Sequence, residues 1–258
     1  MAQPPKIDKF PGRLYAYGTR EGKRMPDVCL ETARTGHTMA FAPDIPGAYG
    51  WGPDRQTALA VLAEDIRWKA RWLNSHGLAL AAGGPLRVVE TVPATGTASH
   101  YDTEGFFRWD ARAYTDREVE QTRQIISWSR ADLMALLETL PRGKWDVRLD
   151  AGRRTVAEVA DHIAVAEWWY TWRIDVPNPL REDWREYPRD PAAKLAAIRA
   201  DVQLFLDEMA RLHPSRRARQ FVKNGETWTG RKVLRRMIWH EIHHYKLLLP
   251  YIDRLKEL

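Results

Sequence analysis

The chain has one cysteine, Cys29, which leaves no partner for an internal disulfide and no companions for a cysteine-rich zinc site. It also lacks long hydrophobic runs. Stretches such as "LLLPYI" are far too short to cross a bilayer, so no membrane association is expected. The opening "MAQPPKIDKFPG" has no apolar core of the kind a secretory signal needs, and a cytoplasmic location is the expectation. No concentrated basic stripe with interleaved aromatics is present, and the net charge of +6 is thinly spread. Such a surplus gives weak attraction for anions, and no nucleic-acid partner is expected. Internal repeats and low-complexity tracts are missing too. With 44% hydrophobic and 29% charged residues, the composition is that of a soluble globular protein. Twelve tryptophans must be largely buried or line a cleft.

The pattern changes near residue 110. Before it, "RLYAYGT", "DVCLETA" and "HTMAFAP" read as strands bounded by Gly, Pro or Asp. The prolines and glycines of "PDIPGAYGWGPD" then predict a specific loop with no regular structure, in which Asp44, Pro46 and Gly47 serve loop geometry. A helix is predicted over 54–74, with Leu59, Leu62, Ile66, Lys69 and Leu73 at spacings of three and four and Gly77 as its C-cap. "LRVVETV" returns to a strand. The order β-β-β-α-β predicts a small α+β unit over 1–95, followed by a linker over 96–114.

From 115 to 258 the helical period takes over. Thr115 with Glu118 and Thr155 with Glu158 form capping boxes that open two helices. Asp190 followed by Pro191 opens a third, and "FVKNGETW" reads as a short hairpin around Asn224-Gly225. The last helix runs from about 230 to 253, with Pro250 predicting a kink or an early end. Four amphipathic helices of about 20 residues predict an all-α four-helix bundle. The fold class expected is therefore two domains, a small α+β unit and then this bundle.

The last helix carries "WHEIHHYKLL", in which His240, Glu241 and His244 spell H-E-x-x-H. His240 and His244 are four apart and share a face with Val233, Met237, Leu247, Leu248 and Tyr251. His162 takes a similar place in the stripe Val159, His162, Ala166, Trp169. Three imidazoles aimed inward from two helices can close one face of a metal's coordination sphere and leave positions open for water or substrate. His243 stands as the alternative to His244. His37, His76, His100 and His213 have no comparable setting and are expected at the surface or in the linker. Zinc proteases with H-E-x-x-H take their third ligand downstream, and "YKLLLPYIDRLKEL" offers neither the glycine nor the histidine of the extended motif. The third ligand must come from upstream, which argues against a protease. Glu241 is then an ordinary helix residue or a partner that orients a histidine.

"TVAEVADHIAVAEWW" and "ETWTGRKVLRRMIWHEIHHYKLL" resemble the matching segments of the DinB-like superfamily of metalloenzymes, over about residues 112–256. The resemblance implies that His162, His240 and His244 bind a divalent metal, with zinc, nickel and iron all open. It implies a metal-dependent enzyme acting on a small molecule, either a transferase using a low-molecular-weight thiol or a hydrolase. A homodimer is compatible with it. "MAFAPDIPGAYGWGPDRQTALAVLAEDI" is similar to the HicB-like antitoxin domain over about residues 12–92, although "GPDRQTAL" lacks that family's acidic-alanine pair. No separate DNA-binding module accompanies it, so the unit is expected to be an accessory. The competing class is a non-catalytic regulatory or antitoxin-like protein whose metal is structural or absent. Further candidates around a pocket are Trp168, Trp169, Tyr170 and Trp172 as walls, and Arg123, Arg130 and Arg173 for a substrate carboxylate.

Overall fold

A computed structural model describes residues 25–78, 80, 84–94 and 105–258 of the chain. The strand expected at 13–19, His100 and the first part of the linker, 96–104, lie outside the described residues. An N-terminal sheet region comes first and a helical region follows.

Three strands, β1 (Asp27–Thr32), β2 (Thr38–Phe41) and β3 (Tyr49–Gly52), precede helix α1 (Arg55–Ser75) and strand β4 (Arg87–Pro93). The sheet order is β3-β2-β1-β4, with β4 parallel to β1 and the other pairs antiparallel. β3 corrects the sequence reading, which assigned these residues to an irregular loop. Its "YGWG" alternates like any half-buried strand, with glycine where a turn signal was expected. Gly50 faces α1 so closely that an added Cβ would lie 2.1 Å from the Ala58 carbonyl oxygen, and at Gly52 it would lie 2.6 Å from Thr57. The glycines are there to let the helix approach. Asp54 caps α1 by accepting from the Thr57 N–H at 2.7 Å. Gly77 follows its end, donating to the Asn74 carbonyl at 3.0 Å.

The opposite face of the sheet carries Cys29, Met39, Phe41 and Tyr49, which cluster with Phe107 and with Trp239 from the helical region. The sheet is thus packed on both faces, by α1 on one side and by the last helix on the other.

The helical region holds α2 (Asp116–Glu138), α3 (Val156–Thr171), α4 (Pro191–Arg211) and α5 (Gly230–Lys256). Both capping boxes form as predicted, and Asp190 caps α4 ahead of Pro191. α3 stops at Thr171, with Trp172 as its C-cap. The four helices pack α2 and α3 against both α4 and α5. Between α4 and α5 a two-stranded hairpin, β5 (Phe221–Lys223) and β6 (Glu226–Trp228), turns at Asn224 and Gly225 with φ of 55° and 80°. Two successive positive φ values suit Asn-Gly and fit the hairpin's twist. The region is therefore not purely α.

The early end offered for α5 at Pro250 and its one-faced burial both fail. It continues through Pro250 without ending, and it is buried on every side from Gly230 to His244. A one-faced stripe was predicted because the sheet that covers the other flank lies far away in sequence. Leu247, assigned to the inward face, is 47% exposed. Among the described residues no helix is long and apolar enough to cross a membrane.

Candidate metal centre

Two N-caps set the register of the ligand-bearing helices. Thr155 opens α3, accepting from the Glu158 N–H at 3.2 Å while Glu158 accepts from the Thr155 N–H at 2.7 Å. Thr229 opens α5, accepting from the Lys232 N–H at 3.2 Å and donating its hydroxyl to the Asp110 carbonyl at 2.7 Å. Losing a cap of this kind costs about 1 kcal/mol. In α3 the capped end is the one nearer His162.

His162, His240 and His244 come together. Each offers one ring nitrogen, and the three nitrogens lie within 4.8 Å of one another. Nε2 of His162 and Nε2 of His240 are 3.1 Å apart. The ring centroids are separated by 4.9 Å, 4.8 Å and 4.5 Å, with interplanar angles of 61°, 85° and 69°. Nitrogen donors on one tetrahedral zinc, at about 2.0–2.1 Å from it, sit about 3.3 Å from each other. The His162–His240 spacing matches that figure, so the residues present fit a divalent ion.

Their protonation fits it too. Burial, then the nearby His244 and His162 rings and the Arg236 guanidinium, push His240 well below the usual imidazole range. Burial, with His243, His162 and Arg154, takes His244 down to about 2. Both are neutral at physiological pH, the form in which imidazole binds a metal. The three are not equally deep. His240 and His244 are buried, whereas His162 is half-buried, along with Val159, Ala166 and Trp169. The deepest face of α3 is instead Ala160, Ile163, Glu167 and Tyr170, so the histidine stripe borders the core and does not form its seam.

Glu241 has neither of the roles expected of it. Its Oε1 accepts from the Ser129 hydroxyl at 2.7 Å, and its Oε2 accepts from Arg130 Nε at 2.9 Å and Arg199 Nη2 at 2.8 Å. Glu167 accepts from Arg130 Nη2 at 2.9 Å and from Arg199 Nε at 2.6 Å. Each of the four helices supplies one member of this buried cluster. Burial would raise the Glu241 carboxyl, but Arg130, Arg199 and the Ser129 hydroxyl hold it below the ordinary carboxylate range. With both oxygens engaged it is no general base, and the protease reading falls on geometry as well as on spacing. Arg130 is likewise withdrawn from any substrate.

His243 is not one of the three converging residues. Its Nδ1 shares a hydrogen bond with the Tyr49 hydroxyl of β3, and its ring stacks on Trp239 at 5.7 Å and 19°. Burial and Lys246 lower it to about 4. Arg123 is engaged by Glu120, by Gln203 and by Asp207 at 2.6 Å. Trp169 stacks under Arg173, 4.0 Å from the ring centroid, and stands edge-on to Trp228. Trp168 Nε1 donates to the Arg181 carbonyl at 2.7 Å. Tyr170 is buried, its ring 5.8 Å from that of His240. His76 is no surface residue, since it lies between the Trp72 and Trp128 rings and bonds Asp132 Oδ2 at 3.0 Å.

Tyr49 and the charge cluster were not anticipated. For the cluster a signal existed: Arg130, Glu167 and Arg199 each sit four residues after a core position, Ile126, Ile163 and Leu195.

No curated protein matches the chain. Among solved structures, a DinB-like protein of Bacillus subtilis, YjoA, superposes with a TM-score of 0.44 at 18% identity, over 53% of this chain and 92% of its own. YfiT of Bacillus subtilis, described as a probable metal-dependent hydrolase with an unusual four-helix bundle topology, gives 0.41 at 18% identity, over 60% and 91%. Residues 125–248, from the middle of α2 into α5 and including all three histidines, match the family model of the DinB superfamily.

Proposed function

We propose that the chain is a divalent-metal-dependent enzyme of the DinB-like type in which His162, His240 and His244 are the protein ligands. A small-molecule substrate would enter the remaining coordination positions. The observation that carries the reading is the convergence of three ring nitrogens from two helices, one pair already 3.1 Å apart. Three protein donors are the usual complement of a catalytic site, whereas structural sites are closed by four. The half-buried ring of His162 marks the side from which a substrate could approach.

A divalent ion held here supplies Lewis-acid polarisation of a substrate's oxygen or sulfur donor. The residues themselves set the kind of donor preferred. Three neutral imidazoles leave the full positive charge of the ion uncompensated, and no carboxylate belongs to the ligand group. An anionic ligand such as a thiolate gains from that charge, which would lower the pKa of a thiol entering the site. The finer reading is therefore transfer to or from a low-molecular-weight thiol, with hydrolysis as the second reaction class and the α+β unit as an accessory. The metal is one of zinc, nickel or iron.

The test is elemental analysis of the chain purified without a metal-affinity tag, beside His162→Ala and His240→Ala. About one equivalent in the native chain, lost in both variants while far-UV circular dichroism stays native, supports an open site. Loss of fold with the metal would mark a structural ion, and no metal after reconstitution would remove the enzyme reading. The thiol reading is tested by conjugation of low-molecular-weight thiols to a chromogenic electrophile. Turnover should be abolished by chelation and restored by metal.

A further inference from the structure

Tyr49 reaches α5 at two points. Its hydroxyl shares a buried hydrogen bond with His243 Nδ1, and its ring stands edge-on to His243 at 5.3 Å and to Trp239 at 5.8 Å. Its backbone N–H donates to Asp65 Oδ2 at 3.0 Å, and the other oxygen of Asp65 pairs with Lys246 Nζ. Asp65 is buried in α1, so the carboxylate of this second connection is shielded from water, while Lys246 is partly exposed. His243 and Lys246 lie on either side of His244 in the chain. One residue of an edge strand therefore grips the helical turn that carries a ligand, once directly and once through a buried carboxylate.

His243 supplies no nitrogen to the ligand group, yet its ring is part of what confines His244. The two centroids are 5.0 Å apart at 69°, and the far side of the His243 ring is stacked on Trp239. An imidazole ligand binds well only when its neighbours hold the ring where the metal needs its nitrogen.

We propose that Tyr49 is a positioning residue of the helical metal centre: through its hydrogen bond to His243, the N-terminal sheet fixes the ring beside His244 and so sets how tightly the site holds a divalent ion. This deepens the metal reading and rests on it. It also gives the α+β unit a definite task, as a wall of the site it does not ligate.

Tyr49→Phe removes the hydroxyl while keeping the ring and the N–H to Asp65. Zinc affinity is measured by competition with a fluorescent chelator for the native chain, Tyr49→Phe, His243→Phe, which keeps a ring against Trp239 and removes Nδ1, and the double variant. About tenfold weaker binding is expected in each single variant, the lower end for losing an outer-sphere partner. The double variant should bind no more weakly than the worse single one, because both changes break the same contact. Without metal, the ring nitrogen resonances of His243 and His244 should both shift in Tyr49→Phe. Zinc affinity within twofold of native, multiplying effects in the double variant, or a stationary His244 resonance would overturn the proposal and leave the metal reading intact. A native chain that binds no divalent metal would end both. If Tyr49→Phe does not fold, His243→Phe reads the same contact from the helix side, and native affinity in that variant overturns the proposal.

Discussion

His240 and Glu241 are adjacent on α5, yet they belong to buried clusters built on opposite electrostatic plans. Around Glu241, two arginines meet two carboxylates, and the charges cancel among residues contributed by all four helices. Around His240, burial holds His240 and His244 neutral, His162 completes the group, and nothing in it balances an added cation. The first cluster is complete as it stands and offers a substrate nothing. The second has lone pairs to give and no charge of its own, and a divalent cation would complete it. A buried polar group marks a functional site when it is left unfinished, and burial alone is a poor guide.

Breaking the closed cluster should have the largest effect. Glu241→Gln leaves Arg130 and Arg199 short of a carboxylate in a dry interior, and urea unfolding should show a loss of about 3–5 kcal/mol. The folded fraction should keep its zinc affinity. If affinity falls in step with stability, the two clusters are not independent and the contrast fails.

Lys69 is an intermediate case, a charge that is neither cancelled nor given up. It is fully buried in α1, and its Nζ has no hydrogen-bond partner. Burial, only partly offset by Asp65, lowers it from 10.5 to about 8. Above pH 8 the folded chain releases this proton while the unfolded chain keeps it up to about 10.5. The unfolded state then binds more protons, so this group's contribution to stability rises with pH across that window. Lys69→Met should therefore stabilise the protein at pH 7 by about 1–3 kcal/mol, from relief of a buried charge. The gain should shrink towards pH 10.5. A pH-independent gain would show that packing, and not charge, is the cause.

Smaller effects sharpen the open side of the contrast. Thr155→Ala removes the cap of α3 and should lower stability by about 1 kcal/mol, read from the thermal midpoint. His162→Ala should change the stability of the metal-free chain by less than about 0.5 kcal/mol, since surface-bordering substitutions rarely do more. Yet it should abolish the metal-induced rise in melting temperature. A large loss without metal would place His162 in the core architecture. Cys29 should respond least. Burial, then the Glu90 carboxylate, raises its thiol to about 12, and iodoacetamide should label it only as fast as the chain unfolds.

What could be read from sequence follows how local each signal is. Caps and turns are settled within four residues, and Thr115, Thr155, Asp190 and Asn224-Gly225 all behave as read. The pairing of His240 with His244 is also local, a matter of one helical turn. His162 joins them from 78 residues away, on a stripe that was read as the seam of α3 and lies at the border of its core. Failures came where a remote element changes what a residue means. Tyr49–Gly52 looks like a turn until α1 needs the room its glycines leave. The even burial of α5 makes sense only with the sheet in place. Arg130 reads as a candidate for a substrate carboxylate until Glu167 and Glu241 are seen to face it.

The two-sided packing of the sheet bears on how the protein is made. Its second face, with Phe41 and Tyr49, is sealed by Trp239 on a helix that begins nearly 180 residues after β3. At ordinary rates of synthesis that separation amounts to roughly 10–40 s on the ribosome. Throughout that interval the nascent sheet would show an aromatic surface that Phe107 alone of its later buried partners has been made to cover, a natural target for a holding chaperone.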